Sequence, residues 1–355
     1  MYTPILRNRQ SEVLAFKGMP AELRAHMAPL LDVAAPTKSA DQAKAEKYVT
    51  NNIVRIGKQM GGFGAVFVDS SELDPSFRLP GNLHPLVAAS AAIAGAGSTP
   101  IPVTGLHRDD SHHEAVRSVM RSMIRQRICI RLDVTDVSTA RLSLANIRDF
   151  LQSNAIETAQ TYLLFDLQGL YDQDPVAVVV PVNRLLALLG GTVWAGIMIG
   201  GYSIPDQLSV AVQTNEQAYL PRIEQDVFNR VNAGAVQTSV WFADYTILPP
   251  SVVELDWRLI SRVMTPKALY TLGDSWLIVR GSAFSSHPDG YAQYYGIAGE
   301  IVALDEYSGE GYSVGDDYIA GRALRVGKPG SPGSWITACV NHHMVMTARA
   351  HSTAR

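Results

Sequence analysis

The stretch over residues 128–168 constrains the fold of this chain more than any other. It runs Ile128-Cys129-Ile130-Arg131-Leu132-Asp133, continues through an amphipathic helical segment, and closes on Thr161-Tyr162-Leu163-Leu164-Phe165-Asp166-Leu167-Gln168. Both apolar runs are short, rich in strand formers, and stop at a carboxylate. The connection between them is too long for a hairpin and suits a parallel crossover through one helix, so the stretch predicts a βαβ unit.

The same unit recurs on both sides. Strands are expected at 2–7, 27–33 (stopping at Asp32), 64–68 (at Asp69), 99–104, 128–133, 161–168, 193–199 and 239–243 (at Asp244). Between them, helices are expected from about Ser11, over 40–60 behind a Ser39 cap, over 85–94, over 112–126 behind Asp110 or Ser111, and over 176–189, 223–232 and 251–263. Eight alternations predict a (β/α)8 barrel of the TIM type over 1–264. An open doubly wound sheet is the runner-up, disfavoured because no Gly-x-Gly-x-x-Gly turn follows an early strand. From Thr265 the texture changes to a strand pair around Gly273-Asp274-Ser275, a helix over 291–304, glycine-rich turns and a final helix over 335–350, so 265–355 is expected to be an appended α+β segment packing on the barrel.

Composition narrows the function classes. Hydrophobic residues make up 47% of the 355 and charged residues 18%, which fits a soluble domain with a large core. A net charge of -3 and a pI near 6.3 give no overall basic footprint for nucleic acid or an anionic membrane. The apolar stretch over 176–201 is broken by Pro181, Asn183, Arg184 and Gly190-Gly191, so a buried helix and strand are expected there and not a membrane span. The opening residues lack the order of a secretory signal, and a cytoplasmic location is expected. Cys129 and Cys339 read as buried apolar side chains.

In such a barrel functional groups collect at the carboxyl ends of the strands. Those ends supply Asp32, Asp69, Asp133, Asp166 and Asp244, with Arg7, His107, Arg131 and Gln168 nearby. Alternation puts Arg131 on the face of Asp133, and Asp166 on the face of Gln168. One reading gathers Asp69, Asp133 and Asp166 around a hard divalent cation, Mg²⁺ or Mn²⁺, that activates water for phosphoester hydrolysis. Arg131 is then the anion contact and His107 or His342 the acid or base, with Arg7, Asp32, Gln168 and Asp244 as further ligand contacts. The competing reading makes each aspartate a loop or helix-cap residue and lets Arg131 neutralise Asp133 or Asp166 inside the barrel. His112-His113 reads as solvated helix surface, since adjacent helical side chains diverge. No Gly-x-Ser-x-Gly elbow, phosphate loop or Cys-x-x-Cys is present.

The tail carries a family resemblance. Tyr270-Thr271-Leu272-Gly273-Asp274, Tyr294-Tyr295-Gly296-Ile297-Ala298, Tyr307-Ser308-Gly309-Glu310-Gly311-Tyr312-Ser313-Val314-Gly315-Asp316, and Gly330-Ser331-Pro332-Gly333-Ser334-Trp335 through Asn341-His342-His343 resemble the beta-protein family, named after a satellite-phage beta protein. Tyr2-Thr3-Pro4-Ile5-Leu6-Arg7, Glu12-Val13-Leu14-Ala15 and Phe67-Val68-Asp69 are similar to it too; Val314 stands where the family pattern has an aromatic residue. The resemblance implies a role in a phage or prophage defence cassette, with a cassette-encoded toxin or a phage protein as partner, and it implies no chemistry. Because Asn341-His342-His343 lies in the resembling tail, one imidazole is expected to reach the barrel mouth, with Asn341 and His343 as ligand contacts. A structural histidine is the competing reading.

Overall fold

A computed structural model describes residues 1–7, 9–36, 41–234, 239–250 and 264–353. The strands are β1 (Tyr2–Arg7), β2 (Leu30–Asp32), β3 (Ala65–Asp69), β4 (Thr99–Thr104), β5 (Ile128–Leu132), β6 (Thr161–Gly169), β7 (Gly196–Tyr202), β8 (Glu216–Pro221), β9 (Val240–Asp244), β10 (Lys267–Thr271) and β11 (Ser275–Arg280). Eight of them form a closed parallel barrel in the order β1-β2-β3-β4-β5-β6-β7-β9, shut where Tyr2 pairs with Phe242. The (β/α)8 architecture is therefore present. The expected strand at 239–243 is the eighth barrel strand, and β8, which the hydrophobic pattern does not reveal, leaves the barrel to form an antiparallel sheet in the order β10-β11-β8.

Parallel strands wrapped by helices are buried on both faces, so alternate side chains divide between two cores. Ile5, Leu30, Phe67, Val103, Cys129, Leu164, Met198 and Ala243 fill the barrel interior. Leu6, Leu31, Val66, Ile130, Leu163, Ile199 and Phe242 face the helices. In β4, Pro100 and Pro102 remove two N–H donors, and the register with β5 is confined to Val103 and Thr104.

The helix Pro332–Thr353 packs on β1 and on the helix Gln10–Leu14. Its His351 ring stacks on Phe242 at 4.6 Å, and Thr337 and Asn341 donate to the carbonyls of Ser11 and Ala15. It thus covers the seam between β9 and β1, where the last helix of a barrel ordinarily lies. The expected helix over 251–263 and the Ser39 cap fall outside the described residues. Asp41 accepts the first-turn N–H of Lys44 in the helix Gln42–Gln59. Asp109, not Asp110 or Ser111, caps the helix Asp110–Arg121. His112 in that helix is buried and bonds the Val103 carbonyl at 2.9 Å, which corrects its reading as solvated surface. Among the described residues no helix is long and apolar enough to cross a membrane.

Two glycines in the helix Val314–Ala323 provide a test of how the tail is packed. A Cβ on Gly315 would lie 2.1 Å from the Ala338 carbonyl oxygen, a backbone atom, whereas one on Gly321 meets nothing within 4 Å. Gly315→Ala is expected to destabilise the protein by about 1–3 kcal/mol through forced separation of two helices. Gly321→Ala is expected to be neutral or to stabilise by about 0.5–1 kcal/mol. Thermal melts of the two variants side by side check the contrast.

Candidate functional site

The strand-end aspartates first do local work. Asp69, Asp166 and Asp244 each accept the backbone N–H two residues on, from Ser71, Gln168 and Thr246, at 3.0–3.1 Å. This Asx-type turn ends the strand and turns the chain away from it. It also holds Gln168 and Thr246 in left-handed conformations, with φ of 55° and 54°.

Inward-facing members of the set meet at the carboxyl end of the barrel around Arg131. Its Nε donates to Asp166 at 2.8 Å, Nη1 to Asp32 at 2.8 Å and to Asp69 at 3.1 Å, and Nη2 to the Tyr245 hydroxyl at 2.6 Å, with a longer 3.5 Å contact to Asp32. The Tyr245 hydroxyl donates in turn to Asp166 at 2.6 Å, and Arg108 donates to Asp69 at 3.0 Å. Burial, together with repulsion from Asp69 and Glu72, pushes the Asp32 carboxyl up to about 7 in spite of Arg131. Burial would raise Asp69 as well, but Arg108 and Arg131 outweigh it and hold that carboxyl below its usual range. Burial keeps the Tyr245 phenol neutral, far above its ordinary value. Above this floor opens a cavity of about 460 Å³ whose rim includes Glu72, His107, Asp133, Gln168 and Tyr202.

Other expected site residues lie elsewhere or have other partners. Asp133 lines the cavity, but its carboxylate accepts the Asp136 N–H at 2.9 Å while Asp136 accepts the Asp133 N–H, a reciprocal cap on the helix Val134–Ser138. Asp69, Asp133 and Asp166 therefore do not converge as a ligand set: a guanidinium stands between the first and last, and the second is a cap. Among the described residues no group of three His, Cys, Asp or Glu side chains could hold a metal ion. His107 sits on the open rim, 3.2 Å from Asp136, and Arg7 pairs with Glu72.

Asp244 faces away from the mouth, because the inward residues of its strand are Ala243 and then Tyr245. It meets Tyr2 at 2.7 Å, His343 at 2.9 Å and Arg222 at 3.4 Å in the junction with the tail. Burial alone would lift the Asp244 carboxyl, but His343, Arg222 and the Tyr2 hydroxyl hold it low. His342 is fully buried between Asp316 and the Thr271 carbonyl, both at 2.9 Å, and Asn341 accepts the Gly315 N–H. None of Asn341, His342 and His343 lines the cavity. Glu72, Arg108, Asp136, Tyr202 and Tyr245, which do, were not singled out by the sequence. Glu72 and Arg108 come from loops and Asp136 from a helix start, with no periodic signature; Tyr202 ends β7 beyond its apolar run, and Tyr245 follows the aspartate at the end of β9.

Two measurements test the network. Arg131→Leu removes the cation shared by three buried carboxylates and leaves Asp32 without its counter-charge, so it is expected to destabilise the fold by about 3–5 kcal/mol, and Arg131→Lys is expected to recover little, since an ammonium lacks the planar fork that spans the three acids. Asp32 has a folded pKa raised to about 7 over its ordinary 3.8. Its stabilising contribution is then complete below pH 4 and fades as pH rises through 7. The melting-temperature difference between Asp32→Asn and the wild type is expected to grow more favourable to the variant from pH 4 to pH 8; a flat difference would remove the assignment.

No curated protein matches this chain. A family model described as Beta protein matches residues 2–349, which takes in all eight barrel strands, the mouth and nearly all of the final helix. By that match, the chain belongs to the beta-protein family.

Proposed function

We propose that this beta-family protein acts in the cytoplasm, in a phage- or prophage-borne defence or toxin-moderating cassette, by binding a partner gene product, with the barrel mouth as the ligand site. The observation that carries the reading is the saturation of Arg131. A guanidinium has five N–H donors, and here each side of the group is already bonded to Asp32, Asp69, Asp166 or Tyr245. Four are engaged at 2.6–3.1 Å and the fifth only at 3.5 Å, so no pair of donors is left to clamp a phosphoryl oxygen, and Asp133, the remaining acid of the metal reading, is engaged as a helix cap. Both features favour a preformed binding surface over metal-assisted phosphoester hydrolysis.

The test is co-expression with the killing gene of the same cassette. The binding reading expects the purified chain to retain the killing protein in EDTA, and expects survival to fall in step with complex formation across Glu72→Gln, Asp166→Asn and Tyr202→Ala. A Mn²⁺-dependent phosphodiesterase activity that Asp166→Asn abolishes would replace this reading with the hydrolytic one.

A further inference from the structure

From the donor and acceptor balance of the mouth, we infer that its ligand is an organic cation, an alkylammonium or guanidinium group, that enters beside Tyr202 and Tyr245 and bonds Asp32. The inference rests on the reading of the mouth as a binding site and goes on to name the chemistry that the site takes.

Among the described residues, the walls of the 460 Å³ cavity carry five carboxyl groups, those of Asp32, Glu72, Asp133, Asp136 and Asp166, against two guanidiniums, Arg108 and Arg131, with Arg7 paired to Glu72. Arg108 and Arg131 are already committed to carboxylates of the barrel. Among these residues an entering anion would meet surplus negative charge and no uncommitted guanidinium, whereas an entering cation would meet carboxylate oxygens with lone pairs to spare.

Asp32 supplies an independent sign of an unfilled place. It is only 3% exposed, and its Oδ1 is well bonded to Arg131 at 2.8 Å. Its Oδ2 has a single contact among the described residues, at 3.5 Å, the outer limit of a hydrogen bond. A buried carboxylate oxygen on a cavity wall with so long a contact has room for a second, shorter donor. An ammonium or guanidinium N–H would provide it and would offset the neighbouring charge that now opposes ionisation of Asp32. Tyr202 and Tyr245 meet edge to face at 5.3 Å on the same wall, so the cation also passes an aromatic surface that attracts positive charge.

The same chemistry has two sources, a free polyamine or the tip of a lysine or arginine side chain on a partner protein. Calorimetric titration of the wild-type chain with agmatine, spermidine, a lysine-containing peptide and its Nζ-acetylated form, inorganic phosphate and ATP separates them. Saturable binding of the amines, or of the unacetylated peptide alone, supports the assignment and identifies the source. Asp32→Asn is expected to weaken that binding about tenfold, the loss expected for one charge-assisted hydrogen bond. Binding of phosphate or ATP without the amines would overturn the ligand class and leave the binding reading standing. Binding of no probe would overturn the inference too, while the survival assay with the cassette's killing gene judges the broader reading separately. The wild-type titrations decide the matter even if Asp32→Asn fails to fold.

Discussion

A closed parallel barrel buries both faces of every strand, so a charged side chain at a strand's carboxyl end has two destinations and needs a counter-charge in each. Inside, that counter-charge is Arg131, shared among Asp32, Asp69 and Asp166. Outside, it is Arg222, which pairs with Asp244 and Glu224 beneath the tail. An uncompensated buried charge costs several kcal/mol, a large part of a domain's net stability. The positions of these two arginines thus decide which carboxylates the fold tolerates, and through them the shape of the mouth.

The Arg131 network also explains why the mouth is a cavity and not a plug. Each acid is drawn down onto the guanidinium, and the strand ends at Asp69 and Asp166 turn outward through their Asx bonds, so the loops after β3 and β6 leave the network. Tyr245 fits because its phenol both accepts from Arg131 and donates to Asp166, which closes the ring of hydrogen bonds on the β9 side. A phenylalanine there would leave two polar partners short of a bond in a region with little water to replace it.

The barrel was legible because its strands are continuous apolar runs, the pattern of two-sided burial; strand alternation grouped Arg131 with Asp133, and its pairing with Asp166 was one of the two alternatives the competing reading left open. β8 was not, because its residues are mostly exposed and Glu216-Gln217-Ala218-Tyr219-Leu220-Pro221 has no apolar run to announce a strand. Asp133 misled because β5 stops at Leu132, one residue short of it; Asp133 and Asp136 are spaced as a reciprocal helix cap, a signal that was available. Asp244 misled by parity. A strand's last carboxylate points to the mouth only if its residue number matches the inward set, and here Phe242, two residues earlier, faces the helices. Glu72 and Arg108 come from loops, where spacing along the chain does not specify position in space.

That parity has a mechanical consequence. Asp244 and Tyr245 are adjacent, yet one is fixed in the tail junction by Tyr2, His343 and Arg222 and the other in the mouth by Arg131 and Asp166. The peptide unit between them is anchored on both faces, and Thr246, left-handed and bonded to Asp244, fixes the chain beyond it. A one-residue slip of β9 would exchange the two environments, placing a phenol against His343 and a further carboxylate beside Asp166. The tail, through His343, therefore helps set the register that delivers Tyr245 to the mouth, and the mouth and the C-terminal segment are physically coupled.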